Sequence, residues 1–355
     1  LAAALTIALA ATSTGANAGT QSNSAFSAQM QAFKNAVAQA RQDYAQHPQQ
    51  FKFLQKAPAH SVKFAKRHSQ KIAAPAATVS VTSCVDNASS ATTAGTLRYA
   101  VLNAVNGDVI DLSACNNSTI TLTQGALPVT VDDLSISAGA GNRVTIDGNA
   151  TDRVFYLTGP GTGTNNFLAL SYLTIQNGNA PLLTPPPPPG TNAPADSITV
   201  AAGGCILSMQ DGIALYNSTV TGCRAVNAGG VAEGGGILSY GGLYMYASTL
   251  SNNVASSVKS GSSTTDKYGA VGGGAITQGP AYLYSSHVDG NSVTVSGGGQ
   301  IADAGGLFSL SPAKVYFSTI ANNSVQMNAG TIGSGPYVAI GGGLSVKYGA
   351  NLLAS

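Results

Sequence analysis

Leu243 and Met245 alternate with Tyr244 and Tyr246, and a small polar cluster then closes on Asn252 and Asn253. Alternation of this kind predicts a strand with one face buried and the other outward. The pattern recurs. Four segments align: GGCILSMQDGIALYNSTVTGCRA from Gly203, GGGILSYGGLYMYASTLSNNVA from Gly234, GGAITQGPAYLYSSHVDGNSV from Gly273 and AGGLFSLSPAKVYFSTIANNSV from Ala304. A fifth, GGGLSVKYGANLLAS, runs from Gly341 to Ser355 and stops at the Ser where T-x-x-N-N should follow, so further coils are expected beyond it. Each complete unit has 21–23 residues with three short strands. The extra length falls between the Asn turn and the next Gly run, in inserts at 180–202, 226–233, 256–272, 294–303 and 326–340.

A repeated unit that cannot bury its own apolar face must stack on its neighbours. Stacking turns the alignment into columns. Val220, Leu250, Val288 and Ile320 form one; Leu215, Met245, Leu283, Val315 and Leu352 a second; Ile213, Leu243, Ala281, Ala313 and Ala350 a third. All are apolar and predict the core. Tyr216, Tyr246, Tyr284 and Tyr316, then Leu353, fall on the opposite parity and face outward. Tyr244 and Tyr282 add a second row. Six tyrosines then line one sheet, either as an aromatic ladder that stabilises it or as a platform for sugar rings or a partner's apolar surface. Cys223, Asn253, Asn291 and Asn323 share a turn column, where Asn tolerates left-handed backbone and its amides bond each other up the stack. Strands stacked in this way make an all-β parallel β-helix, or solenoid, and parallel crossovers favour the right-handed coil.

The earlier chain is less regular. Phe26, Met30, Phe33, Val37 and Tyr44 make one helical stripe across residues 24–46, and a basic linker follows. A second amphipathic helix is expected in Gly95–Asp108, with Leu97, Ala100, Val101, Ala104 and Val105 on one face and Gly107 past its end. Short strand-like runs follow it, from VIDLS to FLALSYLTIQNGN, before an insert with five consecutive prolines that cannot join a sheet.

Three stretches carry a family likeness: SCVDN…GTLRYAVLNAVNGDVIDLSAC, VTIDGNATDRVFYLTG and the repeated GGGI…STxxxN. With them the chain resembles secreted bacterial right-handed parallel β-helix proteins related to polymorphic outer-membrane and CSLREA-type surface proteins, with a pectate-lyase-like solenoid. The resemblance covers residues 78–355 and implies that the 95–107 helix caps the first coil. The expected organisation is a signal peptide at 1–18, a basic helix and linker at 19–77, an N-terminal cap at 78–125 and solenoid coils at 126–355.

Composition adds a compartment and an asymmetry. The start, LAAALTIALAATSTGANA, is an apolar stretch ending in an A-x-A site, as in a secretory signal peptide that has lost its basic beginning. Export to the bacterial outer surface or medium is expected. Cys84 and Cys115 bracket one segment and Cys205 and Cys223 another; two disulfides or four buried thiols are the alternatives, and no spacing suits zinc. Residues 20–75 hold eight Lys/Arg and one acid, a net +7; the remainder holds eight Lys/Arg and thirteen acids, a net −5. The basic arm suits peripheral membrane or wall contact, a solvated spacer or a helix docked on the body. The acidic body argues against nucleic acid.

Candidate chemistry is sparse. Only 8% of residues are charged. Pectate lyases and related glycosidases share this kind of solenoid, so a polysaccharide lyase or glycoside hydrolase is the alternative, with calcium needed only by a lyase. A glycosidase needs two carboxylates about 5–10 Å apart. Glu233 is the one glutamate and falls in an insert; His287 and Asp289 sit two apart on one strand and could exchange a proton. Asp211, Asp266, Asp289 and Asp303 form no column in adjacent coils, and Asp132, Asp133 and Asp147 read as turn residues. The main expectation is a monomeric surface protein for adhesion or for binding a polysaccharide or a cell-surface molecule, without a cofactor.

Overall fold

The computed structural model describes residues 77–159, 167–183, 199–209, 211–258, 269–297, 301–328, 338–347 and 350–353. The expected signal peptide, the basic helix and linker, and the proline run lie outside these residues.

One repeat shows the construction. Starting at Ile237–Ser239, the chain lays down Gly242–Tyr246, Thr249–Ser251, Val254–Val258 and Gly269–Val271, then returns at Ala275–Thr277 beside its starting strand. Each strand joins a different sheet. We call these sheets V, I, II, III and IV in that order; among the described residues they hold seven, nine, seven, four and six strands. The pairing between neighbouring units is parallel and in register: Leu243 lies beside Ala281, Leu250 beside Val288, Ala255 beside Val293, Ala270 beside Ala302 and Ile276 beside Phe308. One antiparallel pair, Leu182–Leu183 with Val200–Ala201, starts sheet IV. The molecule is therefore all-β with long parallel sheets visited in rotation, an arrangement compatible with a solenoid.

The apolar columns fall together as one core from Val81 to Val315, including Leu243, Met245, Leu250, Leu283 and Val288. Burying one such side chain contributes about 1.5–3 kcal/mol. The corners between sheets need left-handed backbone. Gly203, Gly234, Gly272, Ala304 and Gly341 adopt φ of 60°, 62°, 64°, 52° and 55° between sheets IV and V. Ala304 shows that a Cβ is tolerated there at some strain, and Gly removes that strain in the other units.

Two expectations are corrected. Each unit has five strands rather than three. Much of each expected insert is strand: Arg224–Asn227 with Val231–Glu233, Val254–Val258 with Gly269–Val271, and Ser292–Ser296 with Ile301–Asp303. Sheets III and IV pack on each other through Ala232, Ala255, Ala270, Val293, Val295 and Ala302, forming a fin with a second small core. Alanines let the two backbones approach closely.

The helix expected in Gly95–Asp108 is shorter than read, spanning Leu97–Leu102. Thr96 caps it by accepting from the Tyr99 amide at 3.2 Å. Its end follows from Asp108, whose carboxylate takes the Val105 amide at 2.9 Å and the Ala77 amide at 3.0 Å. That local bond offers Val105 an alternative to helix, and its side chain is 56% exposed. The helix is locked by Arg98, which pairs with Asp86 at 2.7 and 2.9 Å and also donates to Gly125 and Ala126 carbonyls. Asp86 accepts further bonds from the Thr123 and Gln124 amides. Burial alone would raise its pKa, but Arg98 and these amides outweigh it and hold the carboxyl below its usual range. The Cys84–Cys115 disulfide closes the same region.

Candidate functional site: the tyrosine face

Sheet I carries Tyr216, Tyr246, Tyr284 and Tyr316 in one column, with Tyr244 and Tyr282 in the next outward column. All six are half-buried. Tyr244 and Tyr282 stack with centroids 4.9 Å apart and planes 14° apart; Tyr246 and Tyr284 stack at 5.1 Å and 12°. Parallel strands about 4.8 Å apart impose this spacing. The stacks end in crossed contacts: Phe167 meets Tyr244 edge-on, Phe317 meets Tyr284 edge-on, and Lys314 lies over the Tyr282 ring at 5.3 Å. A Cβ at Gly212 would collide with the Phe167 ring, so glycine is what admits that ring at the head of the face.

Stacking has a chemical consequence. A ring face pressed on the next tyrosine is not open to a sugar. On their stacked sides Tyr244, Tyr282, Tyr246 and Tyr284 therefore offer ring edges and hydroxyls, and Phe167, Phe317 and Lys314 also contact Tyr244, Tyr284 and Tyr282. Burial, with Tyr244 nearby, raises the Tyr216 phenol to about 12; burial, with Tyr282 nearby, does the same for Tyr244. Burial first, and Tyr282 second, also raise Tyr316. At neutral pH these three phenols are neutral and can both donate and accept.

Two polar ladders hold the sheet edges behind the rings. Ser218, Ser248, Ser286 and Ser318 each donate to the carbonyl of the tyrosine two residues before, at 2.8–2.9 Å. Each of the last three also accepts the backbone amide of the serine in the unit before, at 3.0–3.2 Å. At the next corner Asn253 Nδ2 donates to Asn291 Oδ1 and Asn291 Nδ2 to Asn323 Oδ1, both at 2.9 Å. Left-handed backbone falls one residue earlier than the ladder itself, at Gly222, Asn252, Gly290 and Asn322. The bonding role and the conformational role are thus divided between neighbours.

The second disulfide belongs to this ladder. Gly236 approaches the Asn253 side chain, Gly274 that of Asn291 and Gly306 that of Asn323. One unit earlier the corresponding positions hold Cys205 and Cys223, bonded to each other. The Cys223 amide still donates to Asn253 Oδ1 at 3.0 Å. A covalent bridge replaces the Asn–Gly contact where the ladder begins. The two disulfides suggest an oxidising, extracytoplasmic environment. No helix among the described residues is long and apolar enough to cross a membrane.

Of the weak catalytic candidates, His287 and Asp289 share the outward face of one strand, and Glu233 lies on a different sheet. His287 is exposed on sheet II, in the column of Thr249 and Thr319. Asp289 on the same strand accepts from Asn322 Nδ2 at 2.8 Å. Glu233 lies on sheet IV, in strand Val231–Glu233. Asp147, expected in a turn, instead ends the strand Val144–Asp147, where its carboxylate accepts from Gln176, Asn177 and the Asn149 amide. Asp132 and Asp211 are buried. Among the described residues no group of three His, Cys, Asp or Glu could hold a metal ion.

Sequence reasoning missed two features. One is the serine ladder, whose Ser is present in every unit. The fin's signal was a triplet with a central alanine before each Gly run: VAE, GAV and IAD. No family model, curated protein or solved structure matches this chain.

Proposed function

We propose that the chain is an exported surface protein with a right-handed parallel β-helix, akin to the polymorphic outer-membrane and CSLREA-type proteins it resembles. Sheet I is its contact face, and the partner is a carbohydrate or another cell-surface molecule. The observation that carries this reading is the pair of in-register tyrosine stacks on an outward, half-exposed sheet. Their hydroxyls repeat at strand spacing, which suits a ligand whose own polar groups repeat along a chain. Ring edges supply apolar contact and the phenols supply hydrogen bonds. Lys314 adds a positive charge at one end of the Tyr244–Tyr282 row.

Glycan-array and cell-binding assays test this proposal. Tyr246→Ala with Tyr284→Ala removes a whole stack and should abolish binding. Tyr246→Phe with Tyr284→Phe keeps the stack but removes the hydroxyls, and should weaken binding with little change in melting temperature. Unchanged binding in both double variants would overturn the proposal.

A further inference from the structure

Outward side chains of sheets IV and V fill the angle where the fin meets the body. Glu233, Val271 and Asp303 form one column on sheet IV, so the two carboxyls sit two units apart with a valine between. Leu238, Ile276 and Phe308 form the facing column on sheet V. Leu238 is 3% and Ile276 5% exposed, so the angle is packed rather than open.

The carboxyls are poorly provided for. Asp303 is 7% exposed. Its Oδ2 accepts from Ser345 Oγ at 3.2 Å, while its buried Oδ1 has no hydrogen-bond partner. No hydrogen bond reaches the Glu233 carboxylate from the described residues. The salt bridges among those residues use Asp86 and Asp152 instead. Glu233 is half-buried and Asp303 buried, and with few donors around them the charged form of each is disfavoured relative to an exposed carboxylate.

We propose that this joint is a pH-responsive element: protonated Glu233 and Asp303 let the fin seat against sheet V, and their ionisation loosens it. Tyr240 and Ser345, which face the pair, bring no positive charge to it. Tyr240 lies near Glu233, and its own phenol is raised first by burial and then by that carboxylate. Ser345 and the Ala304 amide face Asp303 and lower its pKa, but burial outweighs them. Burial likewise raises Glu233. Of the cations on these elements, Arg153 donates to the Ala202 carbonyl at 2.8 Å and lies over Tyr156, and Lys347 follows Ser345 by two residues.

The direction follows from linkage. Both carboxyls are raised in the folded joint, so the folded state holds these protons more tightly than the unfolded chain. The stabilisation is complete below the ordinary carboxylate range and is lost as pH rises through the raised folded values. The fin strands become less firmly held toward neutral pH.

Hydrogen exchange on the full chain, corrected for intrinsic rates, tests this at about pH 4.5 and about pH 7.5. Amides of Val231–Glu233, Gly269–Val271 and Ile301–Asp303 should lose protection on going to the higher pH. The expected fall is about tenfold for each unit by which burial displaces a carboxyl's pKa. Amides of Gly242–Tyr246 and Ala281–Tyr284 serve as the internal reference and should change less. Glu233→Gln with Asp303→Asn should remove the difference, and Asp303→Asn alone should reduce it if the double variant folds poorly. Equal pH response of fin and reference strands in the native chain would overturn the proposal. So would a difference that survives these substitutions undiminished.

Discussion

The tyrosine face and the fin joint are built by the same operation and behave in opposite ways. Both are columns of outward side chains stacked at strand spacing. On sheet I the repeated group is an aromatic ring, and stacking it on itself is favourable. On sheet IV the column includes ionisable groups, at Glu233 and Asp303, with Val271 between them. In-register stacking multiplies whatever a side chain contributes, so a ring strengthens the stack and a buried carboxyl makes it depend on pH. The valine keeps the two carboxyls out of direct succession.

The largest expected effect separates the two regions at the asparagine ladder, which stands between sheet II and the fin strands. Asn291 Nδ2 bonds the Leu250 carbonyl and Asn323, and its Oδ1 accepts from the Asn253 amide and side chain. Asn291→Ala leaves these buried groups unpartnered and should cost roughly 4 kcal/mol, given about 1–3 kcal/mol for each unsatisfied group. Denaturant unfolding gives the size. Hydrogen exchange should show the fin opening before sheet I.

Next in size is Val271→Asp, which places a third carboxyl in the joint. It should cost roughly 3 kcal/mol at neutral pH and clearly less in acid, because an uncompensated buried charge is the penalty. Melting temperatures at both pH values check the sign. A pH-independent loss would mean that shape, not charge, governs the joint.

A smaller effect measures the aromatic side. A double-mutant cycle on Tyr244 and Tyr282, each changed to Ala, should give a coupling of about 0.5–1.5 kcal/mol. Coupling near zero would make the stack a by-product of register. Smallest, and confined to alkaline solution, is the phenolate titration. Tyr216 and Tyr244 should ionise near 12 rather than 10, as an absorbance step later than that of exposed phenols. Their raised values add stability that is present below the unfolded pKa and is lost as pH climbs through about 12.

The tyrosine face was legible in the sequence because its strand has strict alternation. Leu243 and Met245 fix one parity, and Tyr244 and Tyr246 must take the other. What their rings do to each other was not legible, since alternation gives direction but not the stacking that occupies the ring faces. The fin was hidden for a different reason. Its strands bury Ala232, Ala255 and Ala270, which are too small to mark a core face, and its inserts differ in length from unit to unit. Glu233 and Asp303 therefore read as loop residues, and the column that joins them through Val271 was not visible. Cys223 in the asparagine column was visible, but not that its bridge to Cys205 occupies the place of an Asn–Gly contact.

The whole account rests on in-register stacking, and the outer column of sheet II offers a direct ruler. Thr119, Thr145, Thr174, Thr219, Thr249, His287 and Thr319 follow one another across seven strands. Thr119 and Thr319 are both exposed. Spin labels at these two positions, measured by pulsed electron resonance, should be separated by six strand spacings, about 29 Å, in a narrow distribution. A broad distribution, or a separation far from that value, would contradict the stacked register on which the tyrosine face and the fin joint both depend.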